Sequence, residues 1–492
     1  MKIYNTLTRR KEDFTPLTED EIKIYVCGPT VYNYFHIGNA RPFVVFDTFR
    51  RYLEYRGKKV VFVQNFTDVD DKILNRAREE GVSSFEIGNK YIEEYFKDAG
   101  ALGVRAATHH PRVTENMDEI IAFVNALVDK GYAYVEEGDV YYDTEAFDGY
   151  GKLSGQDPGE LKAGARVDVD ERKKSPLDFA LWKRAKEGED LGWDSPWGTG
   201  RPGWHIECST MAKKYLGDTI DIHAGGQDLI FPHHENEIAQ SEAANGAAFA
   251  NYWMHNGYIT IRNEETRESE KMAKSKGNFF TVRDVLKEYD GEAIRYFLLA
   301  GHYRSPIDFS RELMEQSENA LARMRHAKEN LGFLAEKSDM PFTDEERSAL
   351  DALGVYREKF IKAMDDDMNT ADAIAAIFEL IADVNKKTRE GASAEYAAGA
   401  LSLLLELANV LGLLETRHGD VPSVLKQGDV SHGDGSCGTH EDDEINALIE
   451  ERGKARADKN WARADEIRGL LAAKGITLKD TPQGVQIIRE KR

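Results

Sequence analysis

Two cysteines, Cys27 and Cys208, and the run His233-His234-Glu235-Asn236-Glu237 carry the side chains best suited to grip a metal ion. His233 and Glu237 stand four residues apart, which on a helix puts them on one face. Two thiolates, an imidazole and a carboxylate form a donor set of the zinc type. The cysteines are distant along the chain and no Cys-x-x-Cys is present, so spacing alone leaves open that both are small core residues and that the histidine run is a polar helix start. A second centre is Lys271-Met272-Ala273-Lys274-Ser275-Lys276-Gly277-Asn278. Three lysines among small residues can hold a polyphosphate and stabilise the charge that builds on it in a transition state; a solvated surface loop has the same composition. His36-Ile37-Gly38-Asn39 opens a helix, where free N–H groups and the positive end of the dipole favour phosphate. Asn65-Phe66-Thr67-Asp68 and Gly225-Gly226-Gln227-Asp228 each follow a candidate strand, where α/β proteins bind ligands and where Thr and Asp also cap helices.

These residues need a frame. Ile22–Val26 reads as a strand, and Val45, Phe46, Phe49, Tyr52 and Leu53 then form one helical stripe before a second β-branched run, Val60–Val63. Strand, helix and strand at this spacing make a βαβ unit with a parallel sheet. From about Gly131 to Trp197 the character changes: Tyr132–Tyr142 reads as a hairpin turning near Glu137-Gly138, and Gly149–Arg166 is Gly-rich and irregular. The α/β pattern returns at Ile220–Gly226 and Phe249–Ile259. After about Ser310 long helical periodicity runs through Leu414, which predicts a helical bundle. Residues 416–444 read as a linker, in which Cys437 has no evident role. The last unit, 445–492, carries 11 Lys and Arg against 7 Asp and Glu, a local +4.

The whole chain of 492 residues has 65 basic and 87 acidic residues, a net −22, which argues against a surface uniformly coated for nucleic acid. A hydrophobic fraction of 41% excludes global disorder. No apolar run reaches the ~18 residues of a membrane helix, the N-terminus lacks a secretory signal, and three cysteines cannot make a disulfide framework. A cytoplasmic chain without membrane contact is the expectation.

In their order, YVCGPTVYNYFHIGN, PGWHIECS, GGQD, FPHHENEIAQ and the KMSKS-like loop resemble the cysteinyl-tRNA synthetases, a family of class I aminoacyl-tRNA synthetases, along essentially the whole length. The resemblance implies an α/β fold with a Rossmann-like catalytic domain in two halves, 1–125 and 201–260. A connective insertion at 126–200 would separate them, and a KMSKS-like loop and stem-contact region would follow at 261–315. A helical bundle at 316–415, the linker at 416–444 and a small anticodon-binding unit at 445–492 would complete it. It implies ATP, used with Mg²⁺, L-cysteine and tRNA(Cys) as partners, cysteinyl-adenylate as intermediate, one zinc ion per chain, and a monomer. By the match Cys27, Cys208, His233 and Glu237 would be zinc ligands. His36, Lys271 and Lys274 would be the catalytic groups on the triphosphate, with Gly38, Asn39 and Ser275 also at ATP. Thr67, Trp204 and Asp228 would wall the cysteine pocket and hold its amino and carboxylate groups. The chain departs from the motifs at Asn39, where the HIGH pattern has a second histidine, and at Ala273, where KMSKS has serine. Two other readings share these motifs: the cysteine ligase of mycothiol synthesis, which passes the same adenylate to an amino sugar, and a non-catalytic tRNA-binding paralogue. The basic last unit, with Trp461 offering either a stacking face or a packed side chain, favours tRNA.

Overall fold

In the computed structural model the described residues are 1–156, 159, 171–262, 269–271, 280–415, 448, 451–452, 454–456, 460–473, 476–481 and 484–489. They fall into two compact units: Met1–Leu321 with Lys359–Ala375 and Asn409–Leu413, and Ala322–Glu358 with Ala376–Ala408 and Leu414–Arg492. None of the described helices is long and apolar enough to cross a membrane.

The first unit is organised by a four-stranded parallel sheet, in the order Ala250–Asn256, Ile220–Gly226, Glu21–Val26, Lys59–Gln64. The strands are rich in Ile, Val and aromatic residues, and Ile220–Gly226 is buried at every position, the pattern of a parallel strand covered on both faces. Their registers align the carboxyl ends: Val26 lies opposite both Ala224 and Gln64, and Asn256 opposite Gly226. Cys27, Asn65 to Thr67, Gln227-Asp228 and Gly257 therefore leave the sheet along one edge. Helix Ile37–Tyr55 connects the Glu21–Val26 and Lys59–Gln64 strands and buries Val45, Phe46, Phe49, Tyr52 and Leu53. The segment between the halves of the sheet carries an antiparallel sheet of Ala133–Glu136, Asp139–Tyr142, Phe179–Arg184 and Gly200–Pro202, whose first hairpin turns at Glu137-Gly138 with positive φ at both.

Helix Ile37–Tyr55 is tied to helix Gly291–Leu299 by buried charge. Asp47 accepts from Arg295 at 2.6 Å and from Arg51 at 2.8 Å, and Arg295 further donates to the carbonyls of Leu411, Leu102 and Gly103. Burial works against the Asp47 carboxylate, but the two guanidiniums outweigh it and hold its pKa below the ordinary value.

His110 supports the Lys59–Gln64 strand from one side. Its ring stacks on Phe66 at 5.1 Å, its Nδ1 meets the Gln64 carbonyl at 3.0 Å, and Ala107 N–H donates to Nε2 at 2.9 Å. Only the neutral Nδ1–H ring satisfies both contacts, and burial lowers the pKa from 6.5 to about 4. Because the folded value is depressed, the unfolded chain takes up the proton first as pH falls. The stabilisation is complete above about pH 6.5 and is lost as pH drops toward 4, about 2–3 kcal/mol for this half-buried group. Urea unfolding at pH 7 and pH 4.5 should show that His110→Gln loses less stability across the interval than the parent by this amount; identical losses would remove His110 from the account.

In the second unit, helix Ala394–Val410 buries Leu401, Leu404 and Leu407, and helix Thr370–Lys387 buries Ile377 and Leu380. A bidentate Arg357–Glu406 pair, 2.7 Å at each oxygen, lies at their margin. Its last part is helix Trp461–Ala473 and an antiparallel hairpin, Ile476–Thr481 with Gly484–Arg489, around Ile467, Leu471, Ile476 and Leu478. Trp461 is 59% exposed, so it is not a core residue there. The expected linker, 416–444, lies outside the described residues.

Candidate active site and metal-binding cluster

Cys27 follows the Glu21–Val26 strand, and its N–H donates to Ala224 across the sheet at 3.3 Å. The next residue must be glycine, because a Cβ at Gly28 would run into the carbonyl oxygen of Asn65. That close approach brings the ends of two strands together. Cys208 comes from helix Trp204–Leu216, and Glu237 from the first turn of helix Glu235–Asn245. His233 sits just before it in a π-type turn, Ile230–His234, broken by extended backbone at Phe231 (φ −138°, ψ 133°). The expected four-residue relation of His233 and Glu237 survives this break, with Nε2 to Oε1 at 3.0 Å.

The ligand atoms of Cys27, Cys208, His233 and Glu237 all lie within 4.8 Å of one another, and all four residues are buried. Cys27 Sγ is 3.9 Å from Cys208 Sγ and 3.6 Å from Glu237 Oε1. A second set, Cys27, His223, His234 and Glu237, meets the same distance and shares two members with the first. Further histidines surround the first set, and of these His205, His223 and His255 were not singled out as metal ligands by the sequence reading. His223 Nε2 meets Glu237 Oε2 at 2.8 Å, and His234 Nδ1 meets His255 Nε2 at 2.8 Å, whose Nδ1 reaches Thr6 Oγ1 at 2.8 Å. His205 Nδ1 meets His233 Nδ1 at 2.9 Å. The available signal was burial: a histidine inside a strand covered on both faces, as at His223, must have a partner.

The electrostatics are those of a cation site. Burial disfavours the Glu237 carboxylate, yet His223 and His233 outweigh it and hold the pKa at about 2. Burial likewise opposes the His233 imidazolium, but Glu237 and Cys208 raise it to about 10. Hydrogen bonding to Cys27 lowers the Cys208 thiol, while burial and Cys208 push Cys27 up. Binding of a metal by these groups would release the protons of the thiols and the imidazolium.

Trp204 stacks on His233, centroids 4.2 Å apart and planes 19° apart, and remains 39% exposed, so it braces the imidazole with one face and presents the other outward. Thr67 is buried beside Asn65, whose Oδ1 lies 3.8 Å from Cys208 Sγ. Asp228 is exposed in a 3₁₀ turn after the Ile220–Gly226 strand, its carboxylate folded back over Gly226.

His36 caps helix Ile37–Tyr55, its Nδ1 accepting from Asn39 N–H at 3.3 Å. A Cβ at Gly38 would lie 2.8 Å from the His36 ring, so the glycine makes room for the histidine itself. Ile37 N–H donates to Phe280 at 3.1 Å and Val282 N–H to Phe35 at 3.1 Å, which pins this turn to the chain directly after the lysine-rich segment. Arg41, fully buried, donates to Gly257 at 2.7 Å, Tyr258 at 3.0 Å and Ser305 at 2.6 Å, fixing the helix start to the head of strand Ile259–Arg262. Thr260 in that strand pairs with the backbone of Lys271 in the antiparallel neighbour Ser269–Lys271. The Lys271 side chain, and Lys274 and Ser275 entirely, lie outside the described residues.

A nucleotide-type parallel sheet, the helix-capping histidine turn and a family model for tRNA synthetases class I (C) catalytic domain over residues 13–319 define a class I aminoacyl-tRNA synthetase. The fold is shared with Mycobacterium tuberculosis methionyl-tRNA synthetase in complex with methionyl-adenylate (TM-score 0.58, 16% identity, 80% of this chain and 89% of that one). It is shared also with LeuRS of Agrobacterium radiobacter K84 in a ternary complex with tRNA (TM-score 0.57, 13% identity, 82% and 86%). A DALR domain matches residues 359–415 and a cysteinyl-tRNA ligase anticodon binding domain residues 440–489. A curated cysteine--tRNA ligase of Clostridioides difficile (strain 630) is 55% identical over 487 residues, 99% of each chain. The chain belongs to the cysteine--tRNA ligase family.

Proposed function

We propose that the protein activates L-cysteine with ATP and transfers it to the 3′ end of tRNA(Cys). The observation that carries this reading is the convergence of Cys27, Cys208, His233 and Glu237 at the carboxyl edge of the sheet. Two sulfurs, one nitrogen and one oxygen, mutually within 4.8 Å, fit zinc, whose bonds to such donors run ~2.0–2.3 Å. Between the overlapping sets, this one is favoured because it brings both thiols, the softest donors present. His223 then serves to orient Glu237, and His205 to orient His233. Zinc held by these residues would supply a Lewis-acid centre that prefers the cysteine thiolate to the hydroxyl of serine.

The rest is done by the chain. Thr67, Trp204 and Asp228 border the cysteine and hold its amino and carboxylate groups. The cysteine carboxylate attacks the α-phosphorus of Mg²⁺-bound ATP, the bond to the β-phosphate oxygen breaks, and pyrophosphate leaves. His36 donates to the triphosphate from the helix N-terminus, where Gly38 and Asn39 also border the nucleotide. Lys271 and Lys274, with Ser275, balance charge on the departing pyrophosphate. Asn39 retains a hydrogen-bond donor without the charge of the motif histidine, and Ala273 lacks the motif hydroxyl; both leave His36 and Lys274 in place. The match at 440–489 supports tRNA, not an amino sugar, as acceptor. The same reading has the enzyme working in the cytoplasm as a monomer. Cysteine-dependent ATP–pyrophosphate exchange followed by charging of tRNA(Cys) tests it. Exchange without tRNA charging but with transfer to an amino sugar would replace the acceptor, and absence of exchange would leave only a tRNA-binding protein.

A further inference from the structure

Glu207 is fully buried one residue before Cys208, and among the described residues its Oε1 has no hydrogen-bond partner. Its other oxygen, Oε2, accepts from the Thr67 hydroxyl at 2.9 Å. A buried carboxyl group with only one oxygen paired costs stability, so its presence here calls for an explanation. The hydrogen bonds around it have one consistent direction. Gly28 N–H donates to Asn65 Oδ1 at 2.9 Å, which fixes the Asn65 amide so that its Nδ2 faces Thr67 Oγ1, 3.3 Å away, and must donate to it. The backbone of Thr67 is already committed, its N–H to Pro29 and its carbonyl to Val31 N–H. Its hydroxyl has a single proton and, among the described residues, a single acceptor in reach, Glu207 Oε2. With that proton committed, the oxygen can offer a further ligand only a lone pair.

We propose that Glu207 is a positioning residue for amino-group recognition: by taking the Thr67 proton it fixes Thr67 Oγ1 as an acceptor aimed at the substrate ammonium. The inference rests on the reading that Thr67 holds the amino group of cysteine. It adds a discrimination that the thiol site cannot make, between cysteine and a thiol acid of the same reach that lacks the ammonium.

The test uses the zinc-loaded enzyme, isothermal titration with cysteine and with 3-mercaptopropionate, the KM for ATP in pyrophosphate exchange, and metal content by mass spectrometry. Glu207→Met should weaken cysteine binding about tenfold, the scale of one hydrogen bond to a charged group. 3-Mercaptopropionate affinity, ATP KM and metal content should stay within about twofold. Glu207→Gln, whose amide oxygen can still accept, should recover most of the loss. In Thr67→Val, which should show the cysteine defect by itself, adding Glu207→Met should have no further effect. Should the methionine variant not fold, Glu207→Asp, which withdraws the oxygen by one methylene, serves in its place. Equal weakening of cysteine and 3-mercaptopropionate, or loss of metal, would overturn the proposal in favour of a structural role. Normal cysteine binding in Thr67→Val would overturn the reading of Thr67 and the proposal with it. A defect in Thr67→Val with none in the Glu207 variants would overturn the proposal alone.

Discussion

Cys208→Ala should lower kcat/KM for cysteine in ATP–pyrophosphate exchange by about 10³-fold or more while changing ATP affinity by less than about threefold. The loss corresponds to about 4 kcal/mol of transition-state binding, a reasonable scale for removing the grip on the thiol from a site whose other contacts are single hydrogen bonds. ATP binding should be spared because the groups assigned to it belong to other elements. His36 is held by its own helix turn and by the Phe280 and Val282 backbone contacts, none of which touches Cys208. Discrimination against serine should fall in the same variant, since shape alone separates S from O poorly. Removing the metal with a chelator should reproduce the defect, and adding zinc back should reverse it in the parent but not in Cys208→Ala. Titration calorimetry with ATP alone and with cysteine measures the two affinities separately. An equal loss of both would mean that the cluster holds the sheet edge together instead of selecting substrate, and the assignment of the four ligands would fall.

The frame of this site was easier to read than its contents. The stripe Val45, Phe46, Phe49, Tyr52, Leu53 and the apolar runs at Ile22–Val26 and Val60–Val63 are periodic, and periodicity is local: helix Ile37–Tyr55 and its two flanking strands follow from it. The meeting of Cys27 with Cys208 is not local. It depends on parallel registers that align the ends of strands distant in sequence, and only the order of motifs signalled it. His223 and His255 were hidden for a related reason, since in a strand a histidine beside a candidate ligand looks like any other polar residue until its neighbours across the sheet are known. At Gly38 the sequence shows a glycine in a first helical turn but not what lies against it, which is the ring of His36. Glu207 had no signal, because its place on helix Trp204–Leu216 depends on a hydroxyl from the distant loop that follows the Lys59–Gln64 strand.

Asp47→Asn should be the most destabilising single change in the buried charge network of the first unit, costing about 3–5 kcal/mol, because it leaves two guanidiniums facing one another without a counter-charge. Arg295 is fully buried and Arg51 nearly so, and both converge on the same Oδ2, while Arg105 N–H uses Oδ1 at 3.1 Å. An amide of the same shape can keep one or two of these hydrogen bonds but supplies no charge. Arg295→Met should cost less, since Asp47 keeps Arg51 and the Arg105 N–H; its penalty comes from the carbonyls of Leu411, Leu102 and Gly103, which lose their donor. The order of the two effects distinguishes this account from simple burial, by which the larger Arg295 would be the costlier loss. In the double variant the repulsion between cations is gone, so the combined loss should fall short of the sum by 1 kcal/mol or more. Thermal unfolding should place Asp47→Asn on the order of 5–10 °C below the parent. Strict additivity, or a milder Asp47→Asn than Arg295→Met, would mean that the guanidiniums are held by backbone carbonyls and that the carboxylate contributes little. Because Asp47 lies on the helix that His36 caps, a variant that still folds reports on the site as well: a raised KM for ATP at temperatures below its melting point would show that this charge network helps to set the angle of the turn proposed to hold the triphosphate.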